Sequence, residues 1–410
     1  MSRCRFCRTP LSRTLIDLGM QPLANSYLSE QQLKLPEPRY PLHAKVCETC
    51  FLVQVDHDVP AEAIFSDYAY FSSFSPSWVE HAKRYAEQMR LRFRLGPQSL
   101  VIEIASNDGY LLQHFKAAGV GVLGIEPAAN VAREAEKLGV KTEVAFFNRE
   151  TAVRLRVAGV QADLMTANNV MAHVPDLNEF VAGFPAVLAP EGVLTVEFPH
   201  LLNLIAQAQF DTIYHEHYSY LSLLACERIF AAHGLRVFDV EELPTHGGSL
   251  RLFVCHQAAS HPDGAGLAAI RDKERAAGLH DLQTYEGFGL RAEAIRKQLR
   301  DFLQQAQKDG LRVTAYGAAA KGNTLLNYCG VGRDLVSAVF DKNTHKQGCY
   351  LPGSHIPIGS PERIVEMKPE IMLILPWNLR YEIMSEQNIV KNWGGRFVTA
   401  IPELTVFQPA

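Results

Sequence analysis

One strand–turn–helix stretch constrains the fold of this chain more than any other part of its sequence. Residues 101–104 read as a buried parallel strand, and small and polar residues at 105–109 form a tight turn after it. We expect a helix from about residue 108 or 109. The next strand, 120–125, ends in Glu126, where an acidic residue can accept both hydroxyls of a ribose. The stretch therefore predicts a Rossmann-like α/β domain.

The turn lacks the glycine fingerprint of a pyrophosphate site. Ala105, Ser106 and Asn107 stand where a G-x-G pair would lie, and a pyrophosphate needs close approach of the backbone. The turn suits an adenosine without phosphates, which favours S-adenosylmethionine over a nicotinamide cofactor. The predicted cofactor-binding residues are Glu103, Ser106, Asn107, Asp108, Gly109, Glu126 and Pro127, joined by Phe147, Asn168 and Asn169 from later strand ends.

Length and charge exclude several classes of protein. With 410 residues the chain is long enough for two or three domains. A formal net charge of −4 argues against a nucleic-acid partner, which normally leaves a basic surface. The first ten residues contain no apolar signal region, and no apolar run approaches the length of a membrane helix. We therefore expect a cytoplasmic protein with no membrane partner.

Two cysteine pairs near the start predict a metal site. Cys4 and Cys7 form one C-x-x-C pair, and Cys47 and Cys50 form another. Four thiolates that arrive as two pairs are typical of a closed tetrahedral zinc site, which leaves no position open for catalysis. Free thiols and a redox pair are the alternatives. A segment this small has little core, so we expect loss of the metal to unfold residues 1 to about 60.

Residues 210–220 carry the densest chemistry of the chain, with two histidines, two carboxylates and three tyrosines. The H-E-H pattern invites a metal site, but histidines two apart share a face only on a strand, so we favour acid–base chemistry. A histidine beside a carboxylate is held in one tautomer, and a tyrosine can donate to a developing oxyanion. His173 follows the strand 162–166 at the edge where parallel sheets bind ligands, as a site or a structural residue.

Three further stretches have recognisable patterns. The aromatic and hydroxyl-rich residues 68–78 form either a linker or a loop that covers a polar substrate. Residues 265–310 have a helical pattern and should bridge two domains. The strand 312–316 then precedes a glycine-rich turn that contains Lys321 and can hold phosphates. The last third is thus a smaller α/β domain, with a purely structural role as the alternative.

The motifs also occur in a recognisable order. They are the two cysteine pairs, YAYFSSFSPSW, EIASNDGYLL, NNVMAHV, FDTIYHEHYSYLS, THGGSLRLFV and AYGAAAKGNTLLNY. This series resembles the C-methyltransferases that act on nucleotide-linked 4-keto-deoxysugars, such as the dTDP-sugar C-3 methyltransferases of antibiotic pathways. The resemblance implies a zinc-binding domain at 1–66, a class I S-adenosylmethionine methyltransferase domain at 67–256 and a Rossmann-like domain at 257–410. The sugar nucleotide, dTDP- or GDP-linked, would lie between these domains of a monomer.

The resemblance also implies roles for individual residues. His217 corresponds to the base that removes the proton beside the ketone, assisted by Glu216. Tyr214 or His173 would hydrogen-bond the developing oxyanion, and Tyr68 corresponds to a further active-site tyrosine. The predicted substrate-binding residues are Tyr70, Ser73, Lys321 and Asn323. An NAD-dependent sugar oxidoreductase, an epimerase that shares the deprotonation step and a zinc-bearing scaffold without chemistry are the alternatives.

Overall fold

The computed structural model describes residues 2–56, 59, 72–74 and 76–408. The predicted site residues Tyr68 and Tyr70, and the predicted domain boundary at residue 66, lie outside the described residues. The strands are β1 Arg13–Gln21, β2 Tyr40–Val46, β3 Val53–Val55, β4 Leu100–Ile104, β5 Gly121–Ile125, β6 Thr142–Glu143, β7 Ala162–Asn168, β8 Leu188–Pro199, β9 Ser219–Tyr220, β10 Leu235–Leu243, β11 Ser249–His256, β12 Val313–Tyr316, β13 Val339–Phe340, β14 Ile358–Gly359, β15 Ile371–Ile374, β16 Arg396–Thr399 and β17 Thr405–Phe407. The α-helices are α1 Pro76–Arg92, α2 Leu112–Ala117, α3 Ala129–Lys137, α4 Arg149–Val157, α5 Leu177–Val187, α6 Leu201–Ala206, α7 Leu223–Ala232, α8 Ala265–Ala276, α9 Phe288–Lys308, α10 Ala320–Cys329, α11 Arg363–Met367 and α12 Arg380–Glu386.

The central sheet contains seven strands among the described residues, in the order β10-β11-β8-β7-β4-β5-β6. Strand β11 is antiparallel to both of its neighbours, and the pairs from β8 to β6 are parallel. This confirms the predicted class I methyltransferase fold. The carboxyl ends of β4, β5, β7 and β8 meet at one edge, where ligands bind in such sheets.

The helix after β4 begins later than the sequence predicts. We expected its start at Asp108 or Gly109, but α2 begins at Leu112. Ala105, Asn107 and Gly109 all have positive φ angles, so the turn cannot continue directly into an α-helix. At Gly109, with φ +79°, an added Cβ would also lie 3.2 Å from the Cβ of Ala135. The result is a longer turn, packed closely against α3.

The amino-terminal sheet depends on a strand that comes much later in the chain. Its order is β1-β2-β3-β9, and β9 pairs antiparallel with β3 through Val53 opposite Tyr220 and Gln54 opposite Ser219. Strand β9 directly follows the histidine-rich residues 210–218. The cysteine-bearing segment therefore fixes one end of that loop.

The carboxy-terminal sheet has the order β14-β13-β12-β15-β16-β17, in which only the β16–β17 pair of the described strands is antiparallel. The helical region expected at 265–310 is divided into α8 and α9. The break contains Gly278 and Gly287, both with positive φ angles. Helix α8 packs Leu267 and Ile270 into the core of the central sheet.

Two apolar cores join the three sheets. One core runs from β1 and β2 through α9 to the carboxy-terminal sheet. Another includes Cys4, Cys47 and Cys50 together with residues of α5, α7 and the central sheet. Burial of apolar surface therefore holds the amino-terminal segment against both larger units. Among the described residues, no helix has the length and apolar character needed to cross a membrane.

Candidate active site

The turn after β4 is held by the carboxylate at the end of β5. The backbone N–H of Asn107 donates to Glu126 Oε2 at 2.9 Å, and the N–H of Ala128 donates to Oε1 at 2.9 Å. Glu126 is buried, and burial raises the pKa of its carboxyl group. The acidic residue predicted from the spacing thus lies directly against the turn.

Buried polar atoms around this turn provide a test of whether S-adenosylmethionine fits. Glu103 Oε2, Ser106 Oγ and Asp108 Oδ1 are buried and have no hydrogen-bond partner among the described residues. Burial, together with the charges of Glu126 and Asp108, raises the pKa of Glu103. Unpaired buried polar atoms are costly unless a ligand or water satisfies them. Ribose hydroxyls and an amino-acid ammonium group are donors of the kind that these acceptors need, so the donor set fits the cofactor.

The other predicted cofactor-binding residues differ in their burial and in their contacts. Asn168 and Asn169 lie at the end of β7, where Asn168 Oδ1 accepts a hydrogen bond from Thr166 at 3.1 Å. Pro127 is half-buried beside Glu126. Phe147 packs in an aromatic cluster, with its ring centroid 5.0 Å from that of Phe184. Its predicted contact with the adenine stays a prediction.

The residues just before α1 cover the cofactor turn. The N–H of Ser72 donates to Asn107 Oδ1 at 2.9 Å, and the N–H of Ser73 donates to Asp108 Oδ2 at 3.1 Å. Ser73, predicted as a substrate-binding residue, is exposed at this position. The hydroxyl-rich segment therefore connects the cofactor turn to α1.

The four predicted zinc ligands converge. Their sulfur atoms all lie within 4.8 Å of one another, with 3.5 Å between Cys4 and Cys50 and 3.4 Å between Cys7 and Cys47. A tetrahedral zinc–thiolate site has sulfur atoms about 3.8 Å apart, so the cluster fits zinc. In each knuckle the residue after the second cysteine donates its N–H to the carbonyl of the first cysteine. This repeated turn points all four thiolates at one centre.

The geometry of the histidine-rich loop defines the tautomer of His217. Its Nδ1 lies 2.9 Å from the carbonyl oxygen of Thr212, which can only accept, so Nδ1 carries the proton. Its Nε2 lies 2.9 Å from the hydroxyl of Tyr214 and, in the neutral ring, accepts that O–H. Burial and the neighbouring His173 lower the pKa of His217 well below its usual value. At neutral pH this is therefore an uncharged imidazole with its lone pair on Nε2.

His173 lies beside His217 and is held in the same way. The two ring centroids are 4.7 Å apart, and His173 Nδ1 donates to the backbone carbonyl of Glu216 at 2.8 Å. Burial lowers the pKa of His173 to about 4. The end of β7 and the histidine-rich loop thus bring two neutral imidazoles together.

Glu216 has a partner that the sequence did not indicate. Both of its carboxylate oxygens lie 2.8 Å from Nδ2 of Asn25, which comes from the segment between β1 and β2. Burial raises the pKa of Glu216 to about 7, and the hydrogen bonds from Asn25 oppose this shift. We predicted that a carboxylate would orient the histidine. Instead, a backbone carbonyl orients His217, and Glu216 bonds to the amino-terminal unit.

The carboxy-terminal unit contributes a cation. Lys321 Nζ donates to Asn378 Oδ1 at 2.8 Å and lies 5.0 Å from the centre of the Trp377 ring. Trp377 in turn donates to Asp211 Oδ2 at 2.8 Å. Burial lowers the pKa of Lys321 and raises that of Asp211 to about 6. The glycine-rich turn of the last unit therefore meets the histidine-rich loop of the central unit.

Asn323, the other residue predicted from that turn, faces the amino-terminal unit. Its Nδ2 donates to the carbonyl oxygen of Ala24 at 2.5 Å, and the side chain is buried. The hydroxyl of Tyr27 donates to the carbonyl oxygen of Ala318, also at 2.5 Å. These contacts place residues 24–27 between the glycine-rich turn and Glu216. Three separate parts of the chain therefore meet at the histidine-rich loop.

The side chains of His217, His173, Tyr214 and Glu216 are suited to proton abstraction. Neutral imidazoles can accept a proton, a phenol can donate to an oxyanion, and a carboxyl group with a pKa near 7 can exist in either form. Comparison with known families agrees with this chemistry. A family model described as "Methyltransferase domain" matches residues 78–240, and one described as "C-methyltransferase C-terminal domain" matches residues 244–402. A third, described as "Putative zinc binding domain", matches residues 4–65.

A full-length relative decides the family. The C-methyltransferase NovU of Streptomyces niveus is 36% identical over 408 residues, which is 100% of this chain and 97% of that protein. The chain belongs to the C-methyltransferase family. It is a C-methyltransferase with S-adenosylmethionine as methyl donor and a four-cysteine zinc site.

Two further matches cover a smaller share of this C-methyltransferase. A ubiquinone biosynthesis O-methyltransferase of Rhodopseudomonas palustris (strain BisA53) is 24% identical over 152 residues, which is 32% of this chain and 60% of that protein. Among solved structures, magnesium protoporphyrin IX methyltransferase from Synechocystis PCC 6803 with bound SAH is 13% identical. That match covers 43% of this chain and 83% of the other, with a TM-score of 0.35.

Proposed function

We propose that this C-methyltransferase methylates the carbon beside the ketone, C-3, of a nucleotide-activated 4-keto-deoxysugar. The observation that carries the proposal is the cluster of His217, Tyr214 and His173, in which His173 also bonds to the backbone of Glu216. These groups are suited to forming an enolate, and an enolate carbon is a nucleophile that can accept a methyl group. The name of NovU states methylation at carbon, which agrees with this chemistry.

In this proposal the first step is proton removal by His217. The carbon beside a ketone is acidic because its anion is delocalised onto the carbonyl oxygen. Nε2 carries the only lone pair of the neutral ring, because Nδ1 donates to Thr212. The proton therefore arrives at Nε2, and the Thr212 carbonyl keeps the resulting imidazolium in place.

Tyr214 has a second task in this scheme. Its O–H, which occupies Nε2 in the absence of substrate, rotates toward the developing enolate oxygen and so frees the lone pair for the incoming proton. His173 lies close enough to the same centre to assist. Removal of one such donor costs roughly 10²–10³ in kcat in well-studied oxyanion sites.

Glu216 and the cofactor complete the arrangement. Glu216 precedes His217 directly in the chain, and we propose that its ionised carboxylate favours the protonated form of His217 through charge attraction. S-adenosylmethionine, when bound at the turn after β4, supplies an electrophilic methyl group for the enolate carbon. The residues that would hold it are Glu103, Ser106, Asp108 and Glu126, whose acceptors face that turn.

The nucleotide part of the substrate is assigned to the carboxy-terminal unit. The support is Lys321, a desolvated ammonium group at the start of α10, close to the catalytic loop. We include Tyr68, Tyr70, Ser73 and Asn323 as further predicted active-site residues, and we propose that the enzyme works in a reducing compartment, where thiolates remain available to zinc.

A direct assay tests this function. The protein is incubated with methyl-deuterated S-adenosylmethionine and a panel of dTDP- and GDP-linked 4-keto-6-deoxy sugars, and the products are analysed by mass spectrometry and NMR. We expect one sugar nucleotide to exchange one hydrogen beside the ketone for a deuterated methyl group. Methylation at oxygen, or turnover only of sugars without a ketone, would contradict the proposal.

A further inference from the structure

The turn between β10 and β11 presents a histidine in an unusual backbone conformation. His246 has φ 55° and ψ 22°, and the next two residues, Gly247 and Gly248, have φ angles of 88° and 108°. A residue with a side chain adopts the left-handed region only at a cost that glycine would avoid. The turn takes no part in the proton transfer proposed above, although its THGG sequence belongs to one of the motifs of the chain.

The two glycines allow this turn to touch its neighbours closely. A Cβ added to Gly247 would lie 2.5 Å from Cη2 of Trp377, and one added to Gly248 would collide with Asn203. Trp377 belongs to the carboxy-terminal unit and carries Lys321 over its ring. The turn therefore lies against the loop that also contacts the half-buried Lys321.

The ring of His246 rests on a rigid column of side chains. It meets the ring of Trp78 edge-on at 5.4 Å, and Trp78 stacks on His81 at 4.8 Å. His81 Nε2 lies 3.2 Å from Glu197 Oε2, and Glu197 is buried in an ion pair with Arg251. This column fixes the position of the imidazole, yet the His246 side chain remains exposed.

Lys321, which lies over the Trp377 ring, has no carboxylate within ion-pair distance among the described residues. Its ammonium group donates a hydrogen bond to the neutral side-chain amide of Asn378. A desolvated ammonium without a counter-ion is costly, so such a group is suited to receive an anion. Asp211, an acidic residue whose charge acts on Lys321, is bonded to Trp377 instead.

We propose that His246 and Lys321 together bind the diphosphate of the sugar nucleotide, with His246 as a neutral N–H donor. The nature of the ligand rests on the function proposed above. A diphosphate carries oxygens that can accept from both residues at once, across the boundary between the central and carboxy-terminal units. This contact gives the histidine a role at a position where glycine would be less strained.

The electrostatic surroundings agree with a neutral donor. Although His246 keeps exposed surface, the surrounding protein desolvates its ring and lowers its pKa to about 4. The charge of Lys321 and the rings of His81 and His173 act in the same direction, while Glu197 opposes them. The imidazole is thus uncharged at neutral pH and does not repel the nearby ammonium group.

Calorimetric titration of the full-length protein with dTDP, dTMP, GDP and GMP tests the proposal. His246→Phe keeps a ring against Trp78 but removes both ring nitrogens, and His246→Asn keeps an amide donor in a residue that tolerates a positive φ. We expect His246→Phe to bind the preferred nucleoside diphosphate about tenfold more weakly, with a smaller loss for the monophosphate. His246→Asn should recover most of the affinity.

Two controls separate this contact from general damage. His261→Phe alters a histidine stacked on Phe238, away from the turn toward the other end of the β10–β11 pair, and it should leave nucleotide affinity unchanged. The affinity for S-adenosylmethionine and the thermal midpoint should be the same in all variants. Unchanged diphosphate affinity in His246→Phe, or a parent protein that binds neither dTDP nor GDP, would overturn the inference. Because binding is measured without turnover, failure of sugar methylation alone would count only against the proposed function.

Discussion

At the scale of single residues, backbone contacts determine what the active-site histidines can do. Carbonyl oxygens hold Nδ1 of both His217 and His173, which leaves Nε2 as the reactive atom of each ring. Burial keeps both rings neutral at physiological pH because it lowers their pKa values. A neutral ring is the form that a base needs, and Tyr214 is placed to bond to it.

Replacement of the proposed base gives the first prediction. His217→Asn keeps a polar side chain but removes the basic Nε2, so we expect kcat to fall by roughly 10²–10⁴. The dissociation constant for S-adenosylmethionine, measured by calorimetry, should stay within about twofold because the cofactor turn is not touched. A kcat close to that of the unchanged protein would rule out His217.

The raised pKa of Glu216 predicts a pH effect. Its carboxyl group is ionised only above a pH of about 7, so kcat/KM should rise with pH through that value and lose this dependence in Glu216→Gln. The contribution of Glu216 to folding stability changes with pH in the opposite direction: it falls as the pH rises. Relative to Glu216→Gln, the parent should be most stable below the unfolded pKa of 4.5 and lose that advantage as pH rises through about 7. A pH–rate profile that is the same in both proteins would contradict this role.

Asn25 offers a related test. Its hydrogen bonds lower the pKa of Glu216, so Asn25→Ala should move the rising limb of the pH–rate profile to higher pH. Asn25→Asp would add a like charge and should shift it further in the same direction. An unshifted limb in both variants would show that the contact does not control Glu216. Nothing in the sequence around Asn25 distinguishes it from an ordinary loop residue, so its role could not be predicted.

At the scale of elements, the short strand β9 links the metal segment to the catalytic loop. It contains two residues, too few for a recognisable alternation, and it pairs with β3 from a distant part of the chain. The strands of the central sheet were predictable because they carry long apolar runs next to clear turn signals. The pairing of β9 was not, because a long-range contact leaves no local pattern in the sequence.

This link predicts a consequence of metal removal. Chelation of zinc should loosen the amino-terminal sheet and, through the β3–β9 pair, the end of the histidine-rich loop. Hydrogen exchange measured by mass spectrometry should increase in peptides covering residues 40–56 and 213–222, while α3 and α4 stay protected. Exchange that rises only before residue 56 would show that the loop does not depend on the metal segment.

At the scale of the whole molecule, three units meet at the histidine-rich loop and share apolar cores. The order of motifs predicted three units and a site between them. It did not predict that residues 24–27 separate Glu216 from the glycine-rich turn, or that α8 packs on the central sheet. Those arrangements depend on how complete surfaces fit together, and single motifs carry no information about that fit.

The central claim, that His217 removes a proton beside a ketone, can be measured without methyl transfer. The protein is placed in deuterated water with S-adenosylhomocysteine and the 4-keto sugar nucleotide that it accepts, and proton NMR follows the signal beside the ketone. The account predicts steady loss of that signal with the unchanged protein and at least about a 100-fold slower loss with His217→Asn. Equal rates of loss in the two proteins would contradict it.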